Sequence, residues 1–184
     1  MLIVFSGLPG VGKSTIALAL AAELRAVWLR IDTIEVAISD ARLEMDIADA
    51  GYRVAYAVAA DNLRLGLSVV GDSVNPLASS RAAWRQAARD AGVPCLDVEV
   101  ICSNSAEHRR RVETRAPNIA GLVGPTWGEV VEREYHPWDG DRLVIDTARQ
   151  DTATAVASIR SALARRQTSN GLKETSDARG LDEG

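Results

Sequence analysis

The chain has 184 residues, enough for one domain with a real core and a short tail. Hydrophobic residues make up 47%, charged residues 25%, and the formal net charge is −4, an ordinary globular balance with no overall field toward nucleic acid, though a local basic patch fits within it. No apolar run nears twenty residues, no basic-then-apolar leader comes first, and Cys95 and Cys102 form no metal-type spacing, so a cytoplasmic chain with reduced thiols and no membrane span is expected.

In chain order, Leu2–Phe5 is a short continuous apolar run before glycines, the pattern of a buried parallel strand. Lys13–Arg25 has apolar residues at helical spacing, and Ala26–Ile31 reads as a second strand. A helix over "TIEVAIS" and a helix or two across Asp46–Leu65 follow, then a third strand, Leu67–Asp72. Asn75-Pro76 predicts an N-cap and first turn for a helix reaching Asp90 and stopping at Gly92. Leu96–Ser103 is a fourth strand, Ala106–Arg115 a basic helix, and Pro117, Gly121, Gly124 and Pro125 mark a loop. Thr126 and Glu129 form a capping box for a helix to about Tyr135. Arg142–Thr147 is the fifth strand and Asp151–Arg166 the last helix, with a polar, flexible tail over 167–184. Strands alternating with helices predict an α/β three-layer sandwich on a five-stranded parallel sheet in one domain, 1–166.

"VFSGLPGVGKST" carries the strongest chemical signal. Gly7, Gly12, Lys13 and Ser14 complete a G-x-x-x-x-G-K-[ST] loop between a strand and a helix. Glycines let backbone N–H groups, those of Gly10, Val11, Gly12 and Thr15 included, curl around a phosphate. Lys13 reaches the β/γ oxygens and the Ser14 hydroxyl binds Mg²⁺. A nucleoside triphosphate is implied. No Asn-Lys-x-Asp reads guanine, so ATP is expected. No Asp-Glu pair closes a strand to activate water, and the only Asp-x-x-Gly lies in the tail, so transfer to a bound acceptor is favoured over hydrolysis.

Ligands of open α/β sheets sit outside the carboxyl ends of the strands. Asp32 and Asp72 fall there. Asp32 reads either as a base for an acceptor hydroxyl or as an N-cap, and Asp72 as a Mg²⁺ anchor or a turn residue. In the basic helix, Arg111 and Arg115 are four apart and share one face, which fits a lid over ATP. Glu107 and Glu113 at pairing distances fit a solvated salt-bridged helix equally well. Tyr52, Arg53 and Tyr56 are candidates for the acceptor side, or for a plain amphipathic core helix.

With these residues placed, the chain resembles the P-loop small-molecule and polynucleotide kinases, a group that includes polynucleotide 5′-kinases, chloramphenicol phosphotransferase, zeta toxins and gluconate kinase. It looks closest to bacterial predicted kinases labelled AAA-family ATPases. "GLPGVGKST" matches the loop of that group, Asp32 falls where it keeps its base, and Asp72, Ser73 and Asn75 match its strand-Asp-Thr-Asn segment. Arg111 and Arg115 fall on its lid arginines, so the resemblance implies a lid over about 104–125. One departure stands out. The polynucleotide kinases have an arginine three residues after the base, and here that position is Glu35. With Glu44, Asp46 and Asp49 nearby, an anionic or polynucleotide acceptor is disfavoured and a neutral or cationic small molecule favoured. The resemblance implies an ATP- and Mg²⁺-dependent kinase acting on a hydroxyl, as a monomer or homodimer. The alternative is a nucleotide-dependent regulatory switch ATPase with no small-molecule acceptor. "GPTWGEVVEREYHPW" matches no known role, and Trp127, Tyr135 and Trp138 are expected only to pack the lid base.

Overall fold

Every residue of β1 (Leu2–Ser6) is buried, as an apolar run must be when both faces of its strand are covered. Side chains alternate across the strand. Ile3 and Phe5 enter one core layer with Ile16, Leu20, Val98 and Ile159. Leu2 and Val4 enter the other with Ala59, Leu63, Val69 and Trp84. The computed structural model describes residues 1–41, 49–116, 118–138 and 140–178, with side chains as far as Arg166.

The sheet also contains β2 (Val27–Arg30), β3 (Val69–Asp72), β4 (Cys95–Ile101) and β5 (Leu143–Asp146). All pairings are parallel, in the order β2-β3-β1-β4-β5. α1 (Lys13–Leu24) and α7 (Thr152–Ala178) cover one face, and α3 (Ala50–Arg64) and α4 (Ala78–Asp90) the other. α2 (Ile31–Asp40), α5 (Ser105–Thr114) and α6 (Trp127–Val131) lie where the sheet's carboxyl edge opens. This is the three-layer parallel sandwich that the sequence predicts. The register puts Asp72 beside Phe5 on one side and Arg30 on the other, so three strand ends converge on one crevice.

Four local features differ from the sequence expectation. Asn75 does not cap α4. Its Nδ2 donates to Phe5 O and Ser6 Oγ, and its Oδ1 accepts from Trp84 Nε1. With its amide used up and φ at 47°, the helix starts later, with Leu77 at the N-cap. Asp32 does not cap either: β2 runs straight into α2, leaving Arg30 at the N-cap and Asp32 in the first turn, where a carboxylate suits the helix dipole. The capping box of Thr126 and Glu129 forms, but α6 ends at Val131. Beyond it, buried Arg81 on α4 donates to the carbonyls of Asn75, Pro76, His136 and Pro137. That capture pulls the chain out of helical geometry. Finally, α7 continues in backbone past Arg166 to Ala178, with no proline to stop it.

Candidate active site

The turn after β1 is built to present backbone. Gly7, Gly10 and Gly12 have φ of 144°, 85° and 97°, a region side chains avoid. A Cβ on Gly7 would strike Val100 O, and one on Gly10 would lie 2.5 Å from Val112 Cγ2. Val11 is 2% exposed and packs in the core. Gly12 sits at the N-cap of α1, whose first turn holds Lys13, Ser14 and Thr15. Burial pushes the Lys13 ammonium below its usual range, with Asp72 and then Asp32 pulling it back. Asp72 is 2% exposed, and neither of its carboxylate oxygens has a hydrogen-bond partner of normal geometry among the described residues. Burial pushes its carboxyl up, while Lys13 and the nearby Ser14 hydroxyl pull it down. A buried carboxylate with open lone pairs beside Ser14 is a donor set suited to a hard cation. No cluster of three or more His, Cys, Asp or Glu exists among the described residues.

A cavity of about 830 Å³ opens from this turn, and its lining includes Lys13, Asp32, Glu35 and Tyr52. Asp32 and Glu35 are one turn apart on α2, so they share a face. The Asp32 side chain is 32% exposed. Burial, then the Asp32 carboxylate, push the Glu35 carboxyl above its usual range, and Arg133 pulls it back. Glu35 lies over Gly51, where a Cβ would come within 2.5 Å of Glu35 Cγ. The missing side chain lets α3 approach α2. Tyr52 Oη accepts from Asn75 N at 3.1 Å, which fixes the phenol in the wall, and burial raises its pKa. The far wall is Val112, Arg115, Trp127 and Arg133. A volume of this size suits a small molecule.

Other candidates sit elsewhere. Tyr56 is not in this lining: its hydroxyl donates to Ser80 O and its ring stands edge-on to Trp84, 4.9 Å away. Asn75 is fully buried with its amide spent, so it positions Tyr52 and the turn and cannot touch an acceptor. Arg53 is exposed outside the lining. Asp49 lies at the N-cap of α3, and Glu44 and Asp46 fall outside the described residues.

Arg111 and Arg115 do not share a face. α5 ends at Thr114, so Arg115 is already extended and lines the large cavity. Arg111 Nη1 donates to Thr147 Oγ1 at 2.8 Å and Nε to Glu107 at 2.8 Å. It lines a second cavity of about 580 Å³ on the other side of α5, with Gly12, Thr15 and the turn Thr147–Gln150. Arg110 and Arg111 hold the Glu107 carboxyl at about 2, so the salt-bridged reading of this helix holds alongside the placement of Arg111.

The sequence reading missed several residues. Thr147 follows β5 and donates to Val11 O at 2.8 Å, tying the glycine turn to the sheet edge. The strand-end rule that selects Asp32 and Asp72 would have selected it too. Arg30, last in β2, is 6% exposed. It reaches Asp32 at 3.9 Å and Asp72 at 4.0 Å, and its Nη2 donates to Asn118 at 2.9 Å. Trp127 and Arg133 have no signal short of the fold. Their segment is placed by Arg81, whose guanidinium stacks on Tyr135 and Trp138. Tyr135 and Trp138 therefore pack, as expected, while Trp127 lines the cavity.

A glycine turn between the central strand and a helix, with buried Lys13 at its exit and a strand-end carboxylate beside it, defines a P-loop NTPase of the kinase-like type. The profile of an AAA domain family (AAA_33) matches residues 2–121, and the chain belongs to that family. No curated protein matches the chain. Among solved structures, it is similar to a gluconokinase from Sinorhizobium meliloti 1021, at 21% identity and TM-score 0.65, covering 93% of this chain and 95% of that one. It is also similar to the Mycobacterium tuberculosis APS kinase CysC in complex with AMPPNP and APS, at 23% identity and TM-score 0.65, covering 89% and 96%. A third is Chaetomium thermophilum Kti12 in complex with ADP-AlF3, at 23% identity and TM-score 0.64, covering 88% and 98%. These likenesses establish the shared fold. No helix among the described residues is long and apolar enough to cross a membrane.

Proposed function

We propose that this protein is an ATP-dependent kinase that moves the γ-phosphate to a hydroxyl of a small, non-anionic acceptor. The observation that carries this is a single open cleft presenting the phosphate-loop lysine, Lys13, and the carboxylate of Asp32, in the first turn of α2, to one volume. The kinase names among the similar folds support the reaction class, and the family match supports nucleotide use.

Asp32 accepts the hydroxyl proton as the new O–P bond forms and the β,γ-bridging O–P bond breaks, releasing ADP. Lys13 and the amides of the glycine turn hold the phosphates as charge spreads over the transferring group. Ser14 and Asp72 would hold Mg²⁺, which supplies charge neutralisation between the phosphates. Arg115 approaches from the acceptor side. Arg111, beside Thr147, serves the nucleotide side, where the smaller cavity would take the base and ribose. α5 and the chain after it act as the lid.

Glu35 beside Asp32 disfavours a phosphate near the reacting hydroxyl. Arg133 balances part of that charge at the rim. The test is ADP release from MgATP against neutral, cationic and anionic hydroxyl compounds and a 5′-hydroxyl oligonucleotide. Stimulation by a neutral or cationic compound supports the proposal. Equal release with every addition would favour the regulatory ATPase, and preference for the oligonucleotide would overturn the charge argument.

A further inference from the structure

We propose that His108 is a positioning residue that ties the phosphate loop to the acceptor wall. It touches both the glycine turn and the wall of the larger cavity. It is 7% exposed on α5, and its Nε2 lies 2.8 Å from Pro9 O. A carbonyl oxygen only accepts, so Nε2 carries the proton and donates it.

Pro9 C=O and Gly10 N–H belong to one planar peptide and point in opposite directions. Fixing the carbonyl on α5 therefore fixes the direction of the Gly10 amide in the turn that receives phosphate. The fit is close. A Cβ on Gly10 would lie 3.3 Å from His108 Cδ2 as well as 2.5 Å from Val112 Cγ2. The ring also meets Trp127 edge-on, with centroids 5.1 Å apart and planes at 86°. Trp127 lines the acceptor cavity. A single imidazole thus holds a loop peptide on one side and the aromatic wall on the other. A shift of the loop on phosphate binding is passed to Trp127 through it.

This inference rests on the nucleotide-binding reading above. The experiment uses the full chain and MgADP as the probe, with dissociation constants from calorimetry and tryptophan fluorescence recorded during titration. Trp127→Phe assigns the signal among the four tryptophans of the chain. His108→Gln keeps a donor for Pro9 but loses the ring, and His108→Phe keeps the ring but loses the donor.

The expected result is MgADP binding about 3- to 10-fold weaker in His108→Phe and little changed in His108→Gln. The Trp127 fluorescence response should vanish in both. If both bind MgADP like the native protein and the Trp127 response persists, the proposal is overturned. Lower melting temperatures with neither readout moved would mean packing alone and overturn it too. Should His108→Phe fail to fold, the Trp127 response of His108→Gln still decides. Native protein that binds no MgADP would overturn the nucleotide reading beneath, a result visible without any substitution.

Discussion

The two cavities on either side of α5 are built from different material. The smaller is framed by the first turn of α1, the tight turn Thr147–Gln150 that follows β5 and an arginine held by Thr147 and Glu107. The larger shares the glycine turn but takes its far wall from irregular chain over 122–126, the start of α6 and Arg133. A wall of backbone and strand ends suits a ligand that many sequences share. A wall of side chains on irregular chain can change without disturbing the sheet, and so can set what is accepted.

The largest effect that tests this contrast is at the glycine turn, which contributes residues to both cavities. Lys13→Met should lower phosphoryl transfer on the order of 10³-fold, measured as ADP release at saturating acceptor. A loss of only a few-fold would mean that the lysine is not in contact with the transferring group.

The two arginines should then separate. Arg111→Met should raise the KM for MgATP about 10-fold while leaving acceptor KM alone. Arg115→Met should lower kcat/KM for the acceptor about 10- to 100-fold with MgATP KM unchanged. Steady-state kinetics with each substrate varied checks this, and equal effects of both changes on both substrates would merge the two cavities into one.

A smaller effect is expected at the far wall of the larger cavity. Trp127→Ala should raise acceptor KM about 10-fold, the scale for truncating an aromatic anchor, with little change for MgATP.

The smallest expected effect is a pH dependence. The Glu35 carboxyl is raised by burial and by Asp32. A raised folded-state pKa means that the group favours the fold below its unfolded value and loses that contribution as pH rises through the folded value. The melting temperature of Glu35→Gln relative to the native protein should therefore climb as pH rises from about 4 toward neutrality, then level off. A difference that is flat or falls over that range would show that Glu35 is not in the half-buried setting beside Asp32.

The sequence made the sheet legible because its strands are buried runs and its glycine loop has one mechanical solution. β1 and α1 fall where the pattern puts them. Asn75 was misread because Asn-Pro is a sound local cap signal, and only the folded chain shows Phe5 O, Ser6 and Trp84 competing for the amide. Arg111 and Arg115 were paired by helical spacing, which fails once α5 ends between them. The acids near Asp32 are visible in the sequence, whereas Arg133 comes from nearly one hundred residues away and is brought in by the carbonyls around Arg81. Local pattern gives elements and motifs, while the partner across a cavity depends on tertiary contacts that no spacing encodes.

The most direct measurement follows the phosphate itself, by phosphorus NMR of MgATP turnover with a stimulating acceptor, in the native protein and in Asp32→Asn. The account expects a phosphate monoester from the native protein and its loss by about 10²- to 10⁴-fold in the variant, with MgADP affinity retained. Inorganic phosphate as the sole product, formed at the same rate with and without the Asp32 carboxylate, would contradict it.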